Sequence, residues 1–214
     1  MSATIAVVDY GLGNLHSVRR ALEHVAPDSR VVVTNDAAQV LEADRVVFPG
    51  QGAIGVCMTE LERHGLREAL RAAAVDRPLL GICLGPQALL DFSEENGGVE
   101  CLGVLPGRVT RFPKPLCDAE SGNTLKVPHM GWSRVWQRAP HPLWEGIEDG
   151  ARFYFVHSYY PVPAFREMVA GESNYGLRFA SAVACKSVFA VQFHPEKSAH
   201  DGLRLLANFT RWDP

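Results

Sequence analysis

Two short segments hold residue types that can do nucleophilic chemistry together. The first is Gly81-Ile82-Cys83-Leu84-Gly85, a nucleophile elbow with cysteine in the serine position. Such an elbow ends a strand, turns sharply and starts a helix. Glycine on both sides relieves crowding at the strained turn. A helix N-terminus facing the sulfur favours thiolate over thiol, and a free thiol of pKa about 8.5 needs that help to be ionised near neutrality. The backbone N–H of Leu84 is expected to point where an oxyanion develops, a contact commonly worth about 10²–10³ in rate. Pro86 suits the first turn of the helix, where its missing N–H has no partner to lose. Taken alone, the pattern also describes a buried cysteine in a tight turn.

The second segment is Gln192-Phe193-His194-Pro195-Glu196. A cysteine nucleophile needs a base, and the base needs an orienter. A strand delivers His194, and Pro195 keeps it out of the helical region. In an extended chain Glu196 then lies on the same side as His194 and accepts from one ring nitrogen while the other faces the thiol. Cys83, His194 and Glu196 are therefore the expected catalytic set. No H-E-x-x-H segment or Cys/His cluster exists, so neither a metal nor a cofactor is expected. The glycines after Asp9 fail as a dinucleotide fingerprint because His16 stands in the third glycine position.

The elements that must hold these groups can be read from hydrophobic periodicity. Thr4–Val8, Arg30–Thr34, Arg45–Phe48 and Pro78–Cys83 read as strands, the third stopped by Pro49-Gly50-Gln51-Gly52. Helices are expected after Asn14, which can act as N-cap, from about residue 60 to 74, and from Gly85 through Leu90. This alternation implies an α/β fold with a mostly parallel sheet covered on both faces. Beyond it, residues 108–112, 152–159, 167–172, 179–185 and 187–193 read as antiparallel strands added to that sheet. Residues 113–124 read as an exposed loop, and 201–209 as a closing helix.

Composition bounds the rest. The chain has 214 residues, 47% hydrophobic and 21% charged, which suits one domain over residues 1–214. A net charge of −3 offers no footprint for nucleic acid, and no apolar run approaches a membrane span. The first residues lack a basic leader, so a cytoplasmic location is expected. The five cysteines are odd in number and have no C-x-x-C spacing, which argues for free thiols.

With these motifs in hand, the chain resembles the class I (triad) glutamine amidotransferases through Pro49-Gly50-Gln51-Gly52, Gly81 to Gln87 and Gln192 to Glu196. Within them it is similar to the glutaminase subunits of imidazole glycerol phosphate synthase. The segments that carry this are Asp9 to Val18, Lys126-Val127-Pro128-His129-Met130-Gly131-Trp132, Tyr154 to Tyr160 and Gln192 to Ser198. The resemblance implies that Cys83 attacks the side-chain amide of glutamine and that ammonia passes to a (β/α)₈-barrel cyclase partner in histidine biosynthesis. It implies an oxyanion strand at Gly50, Gln51 and Gly52, a substrate contact from Gln87, and a partner-facing surface that includes Asn14, Met130, Tyr154 and Lys197. Two positions depart from the family pattern: Pro86 stands where methionine is usual, and Ser133 follows Trp132 where asparagine is usual. A glutaminase subunit of an anthranilate or aminodeoxychorismate synthase would share the triad but not the Asp9 or Lys126 segments. A non-catalytic module on the same fold would be expected to have lost Cys83, His194 or Glu196.

Overall fold

The computed structural model describes residues 2–118 and 121–214. Its framework is an eight-stranded mixed sheet. The strands that matter for the site are β1 (Thr4–Val8), β2 (Arg30–Thr34), β3 (Arg45–Gly50), β4 (Leu79–Cys83), β5 (Gly107–Arg111), β6 (His129–Arg134), β7 (Arg152–His157), β8 (Tyr159–Pro163), β9 (Val169–Asn174), β10 (Arg178–Cys185) and β11 (Val188–Val191). The main sheet runs β9-β10-β11-β4-β3-β1-β2, with the two-residue strand Trp136–Gln137 on its β9 edge. Strands β2, β1, β3, β4 and β11 are parallel; β9 and β10 join antiparallel. Val- and Leu-rich β1, β3 and β4 are buried along their length, as parallel strands covered on both faces must be.

Helices α1 (Leu15–Val25), α2 (Ala37–Glu42), α3 (Ile54–Arg63), α4 (Leu66–Asp76), α5 (Gly85–Leu89) and α6 (Ala199–Arg211) cover the two faces. One core cluster packs α3, α4 and α5 against Phe48, Leu79 and Ala190, and the other packs α1 and α6 against Leu80, Phe189 and Val191.

Several sequence expectations change here. The single helix expected over residues 60–74 is two helices, because Gly65 takes a left-handed conformation (φ 65°) and turns the chain between them. Strand β3 is not stopped at Pro49: Pro49 and Gly50 stay in parallel register beside Ile82 and Cys83. The strand expected over 152–159 is two strands in different sheets. β7 pairs with β6, and β8 joins β5 in a four-stranded sheet. Helix α2 and strand β6 had no clear periodic signal. The expected loop at 113–124 contains a small hairpin, Leu116–Cys117 with Thr124–Leu125; Ala119 and Glu120 of that segment lie outside the described residues. Asn14 occupies the N-cap of α1 without a side-chain capping bond.

The elbow depends on missing methyl groups. A Cβ on Gly85 would collide with the Phe48 carbonyl oxygen, and one on Gly81 would lie 2.8 Å from the Ala190 Cβ. Gly85→Ala is expected to destabilise the chain by about 3 kcal/mol through overpacking against β3. Gly55→Ala in α3, whose added Cβ meets Val99 at an ordinary 3.7 Å, is expected to be neutral or stabilising. Urea unfolding of the two variants checks the contrast.

Candidate active site

Cys83 sits at the C-terminal end of β4 with φ 59°, the left-handed strain expected of an elbow nucleophile. It is 6% exposed and lines a cavity of about 290 Å³ with Gln51, Leu84, Gln87, Glu95, His157 and His194. His194 follows β11 and is 3% exposed. Its Nδ1–H donates to Glu196 Oε1 at 2.8 Å, the geometry expected of base and orienter. Both side chains are almost wholly shielded from water, at 4% and 1% exposure.

Burial alone pulls the His194 pKa down. Hydrogen bonding and charge from Cys83 and Glu196 outweigh it and hold the imidazole well above its ordinary value. The electrostatic pull toward Cys83 is not yet a hydrogen bond of normal geometry: His194 Nε2 has no partner, and the thiol lies 3.9 Å from the Val156 carbonyl. Catalytic bonds are commonly loose until substrate arrives.

The oxyanion site differs from the sequence expectation. The Leu84 N–H does not point into free space; it donates to the Gly50 carbonyl at 3.3 Å. With Gly50 opposite Cys83 in the β3–β4 register, this carbonyl occupies the donor that an oxyanion would need. Gln51 and Gly52 line the cavity, Gly52 with φ 93°.

Gln192 is the supporting residue that motif reading quoted without a role. Its Nε2 donates to the Cys83 carbonyl at 2.9 Å, and its Oε1 accepts from Gln87 Nε2 at 2.9 Å. Gln87 Nε2 also donates to the Tyr159 carbonyl at 3.0 Å. Both Gln87 amide hydrogens are thus engaged, and its Oε1 is the group it can offer a ligand. Glu95, also missed from sequence, is the acidic side chain on the cavity wall. Its Oε2 accepts from the Ile54 N–H at the start of α3 at 2.9 Å.

A second polar chain backs the cavity. His157 Nδ1 lies 2.8 Å from the Tyr159 carbonyl, His157 Nε2 lies 3.0 Å from His129 Nδ1, and His129 Nε2 lies 2.8 Å from Ser133 Oγ. A carbonyl only accepts, so His157 carries its proton on Nδ1, His129 donates to His157, and Ser133 donates to His129. Burial depresses both rings, His129 to about 4 and His157 to about 3, which keeps them neutral.

None of the residues named for a partner surface, Asn14, Met130, Tyr154 and Lys197, is among those lining the cavity. In the β6–β7 register Met130 faces Val156 and Trp132 faces Tyr154. Met130 is 62% and Trp132 48% exposed, whereas alternate residues His129, Phe153 and Phe155 are buried. Lys197 is exposed, and Tyr154 and Asn14 are half-buried.

Comparison with known proteins agrees with this architecture. The family model described as glutamine amidotransferase class-I matches residues 6–211. The chain belongs to the class I glutamine amidotransferases. The imidazole glycerol phosphate synthase subunit HisH of Aromatoleum aromaticum is 60% identical to this amidotransferase, over 98% of this chain and 99% of its own. The HisH subunit of Thiobacillus denitrificans is 58% identical, over 100% and 93%. Among solved structures, PurLQS from Thermotoga maritima superposes with a TM-score of 0.72 at 18% identity, covering 99% of both chains, and supports the fold. No helix among the described residues of this amidotransferase is long and apolar enough to cross a membrane.

The neutral histidines set a pH dependence. Their folded pKa values lie below the unfolded 6.5, so the unfolded chain binds more protons between about pH 6.5 and about pH 3. Their contribution to stability is complete above that window and is lost as pH falls through it. Thermal melts across the window should show the acid-side fall, and the ring resonances of His129 and His157 should not titrate at about pH 5.

Proposed function

We propose that residues 1–214 act as one glutaminase domain, the ammonia-supplying subunit of imidazole glycerol phosphate synthase in cytoplasmic histidine biosynthesis. The observation that carries this reading is the buried His194–Glu196 pair beside a strained elbow cysteine on one cavity. The HisH relatives, at 60% and 58% identity, favour this pathway over the chorismate-linked synthases.

The chemistry follows from the groups present. With the thiol proton already held on His194 Nε2, Cys83 Sγ adds as thiolate to the side-chain carbonyl carbon of glutamine. The carbonyl π pair moves onto oxygen, and collapse of that oxyanion breaks the C–N bond. His194 returns its proton to the departing nitrogen, so ammonia leaves and a thioester remains. Water, deprotonated by His194, then attacks the thioester, which releases glutamate and restores the thiol. Glu196 holds the imidazole in the Nδ1–H tautomer and offsets its positive charge. Gln87 Oε1 and the Glu95 carboxylate are suited to the donor groups of the substrate, and Glu95 suits its α-ammonium. Gly50, Gln51, Gly52 and Leu84 supply the oxyanion donors once the Gly50 carbonyl leaves the Leu84 N–H. Asn14, Met130, Tyr154 and Lys197 belong to the surface that meets the barrel cyclase; an exposed methionine beside an exposed tryptophan suits such a surface.

The occupied Leu84 N–H predicts a slow isolated chain. Glutamine hydrolysis is expected to rise strongly when the cyclase and its ribonucleotide ligand are added, and to fall to background in Cys83→Ala. Equal rates for the isolated chain and the complex would overturn the coupling. An active Cys83→Ala would overturn the mechanism. Glu196→Gln keeps the shape of the side chain but removes its charge, and should lower kcat by about 10²–10⁴ with a smaller change in KM. Steady-state kinetics on the complex checks it.

A further inference from the structure

Tyr10 follows β1 and stands directly behind the strand that blocks the oxyanion site. It is fully buried and packs edge-on against Phe48, with ring centroids 5.9 Å apart. Its Oη lies so close to Gly50 that any Cβ there would collide with it. Yet this buried hydroxyl makes no hydrogen bond of normal geometry. The polar groups nearest it are the Cys57 thiol of α3 and the backbone N–H of Gln51, with Cys83 acting on it through charge alone.

The orientation of one peptide explains the mismatch. In a planar trans peptide the C=O and N–H point in opposite directions. The Gly50 carbonyl points at the Leu84 N–H, so the Gln51 N–H of the same peptide points back at Tyr10. The phenol therefore meets a donor, and its own proton has only a thiol to address. Cys57 is a poor acceptor: burial in apolar surroundings pushes its pKa up to about 12 and keeps it protonated.

We propose that Tyr10 is a positioning residue for the oxyanion hole: its hydroxyl donates to the Gly50 carbonyl when the Gly50–Gln51 peptide turns over. That single rotation has three effects. The Gly50 carbonyl leaves the Leu84 N–H. The Gln51 N–H swings to the Cys83 side. The carbonyl, now at the back, meets the phenol proton, which lacks a good acceptor. A buried hydroxyl without a partner is costly, and this cost is relieved only in the turned state, so the hydroxyl shifts the population toward the orientation that can bind an oxyanion. Gly50 has no side chain to obstruct the turn, and the absent Cβ is also what lets the phenol oxygen sit against the peptide. The inference rests on the glutaminase reading above.

Tyr10→Phe removes the hydroxyl and keeps the ring, so the core stays filled. In the complex with cyclase and its ligand, kcat for glutamine hydrolysis is expected to fall about tenfold with KM within about twofold, the cost of one lost buried hydrogen bond. Alkylation of Cys83 by iodoacetamide is displacement at saturated carbon and forms no oxyanion, so its rate should not change. An unchanged or higher kcat overturns the proposal. So does a parallel fall in alkylation, which would place the effect on the thiol or on folding. A wild-type complex without glutaminase activity overturns the underlying reading instead, which separates the two failures.

Discussion

The whole site hangs on how closely the turn after β4 approaches the neighbouring strand β3. Gly85 lies against the Phe48 carbonyl of β3, and on the other side of β4 Gly81 lies against Ala190 of β11, distances that no side chain permits. That approach lets α5 begin immediately beyond Cys83. It also forces Cys83 into its left-handed conformation and lays Gly50 alongside it. Strain at one residue is tolerated because the parallel core over-determines its position. Cys83, the Leu84 N–H and the Gly50 carbonyl are brought together by these contacts.

Around that contact the polar groups are arranged so that each ring and amide has one defined role. Gln192 ties the Cys83 carbonyl to the Gln87 amide, and Gln87 is tied in turn to β8. The Ser133–His129–His157 chain fixes both histidine tautomers and joins β6 to β7 at the cavity wall. Ser133 serves as donor to His129. Pro86 lies buried in the first turn of α5, where a missing N–H costs nothing. In contrast, the Tyr10 hydroxyl, His194 Nε2 and Glu196 Oε2 are buried without partners. Two of these belong to the catalytic pair and the third backs the oxyanion strand.

The Cys83 turn and the His194–Glu196 pair were legible in the sequence because their signals are local. An elbow needs glycine, a nucleophile and glycine within five residues, and His194-Pro195-Glu196 places a base and its orienter two residues apart. The parallel half of the sheet was legible for a similar reason: its buried strands are short apolar runs closed by turn residues. The second half was less so. Periodicity alone does not separate β7 from β8, because the chain stays extended while passing from one sheet to another. Helix α2 is only six residues long, too short for a periodic stripe, and it begins from the Asp36 cap.

Sequence by itself determined the residue types, their spacing along the chain and the alternation that builds a parallel sheet, since all three depend on neighbours within a few turns. Tertiary structure decided which distant groups meet. It brought Gln192 to the Cys83 carbonyl, put Glu95 on the cavity wall, exposed Met130 by the β6–β7 register and set Tyr10 behind Gly50. It also decided that the Leu84 N–H is occupied, because a peptide's orientation is set by the groups packed on its two faces and leaves no mark on residue identity.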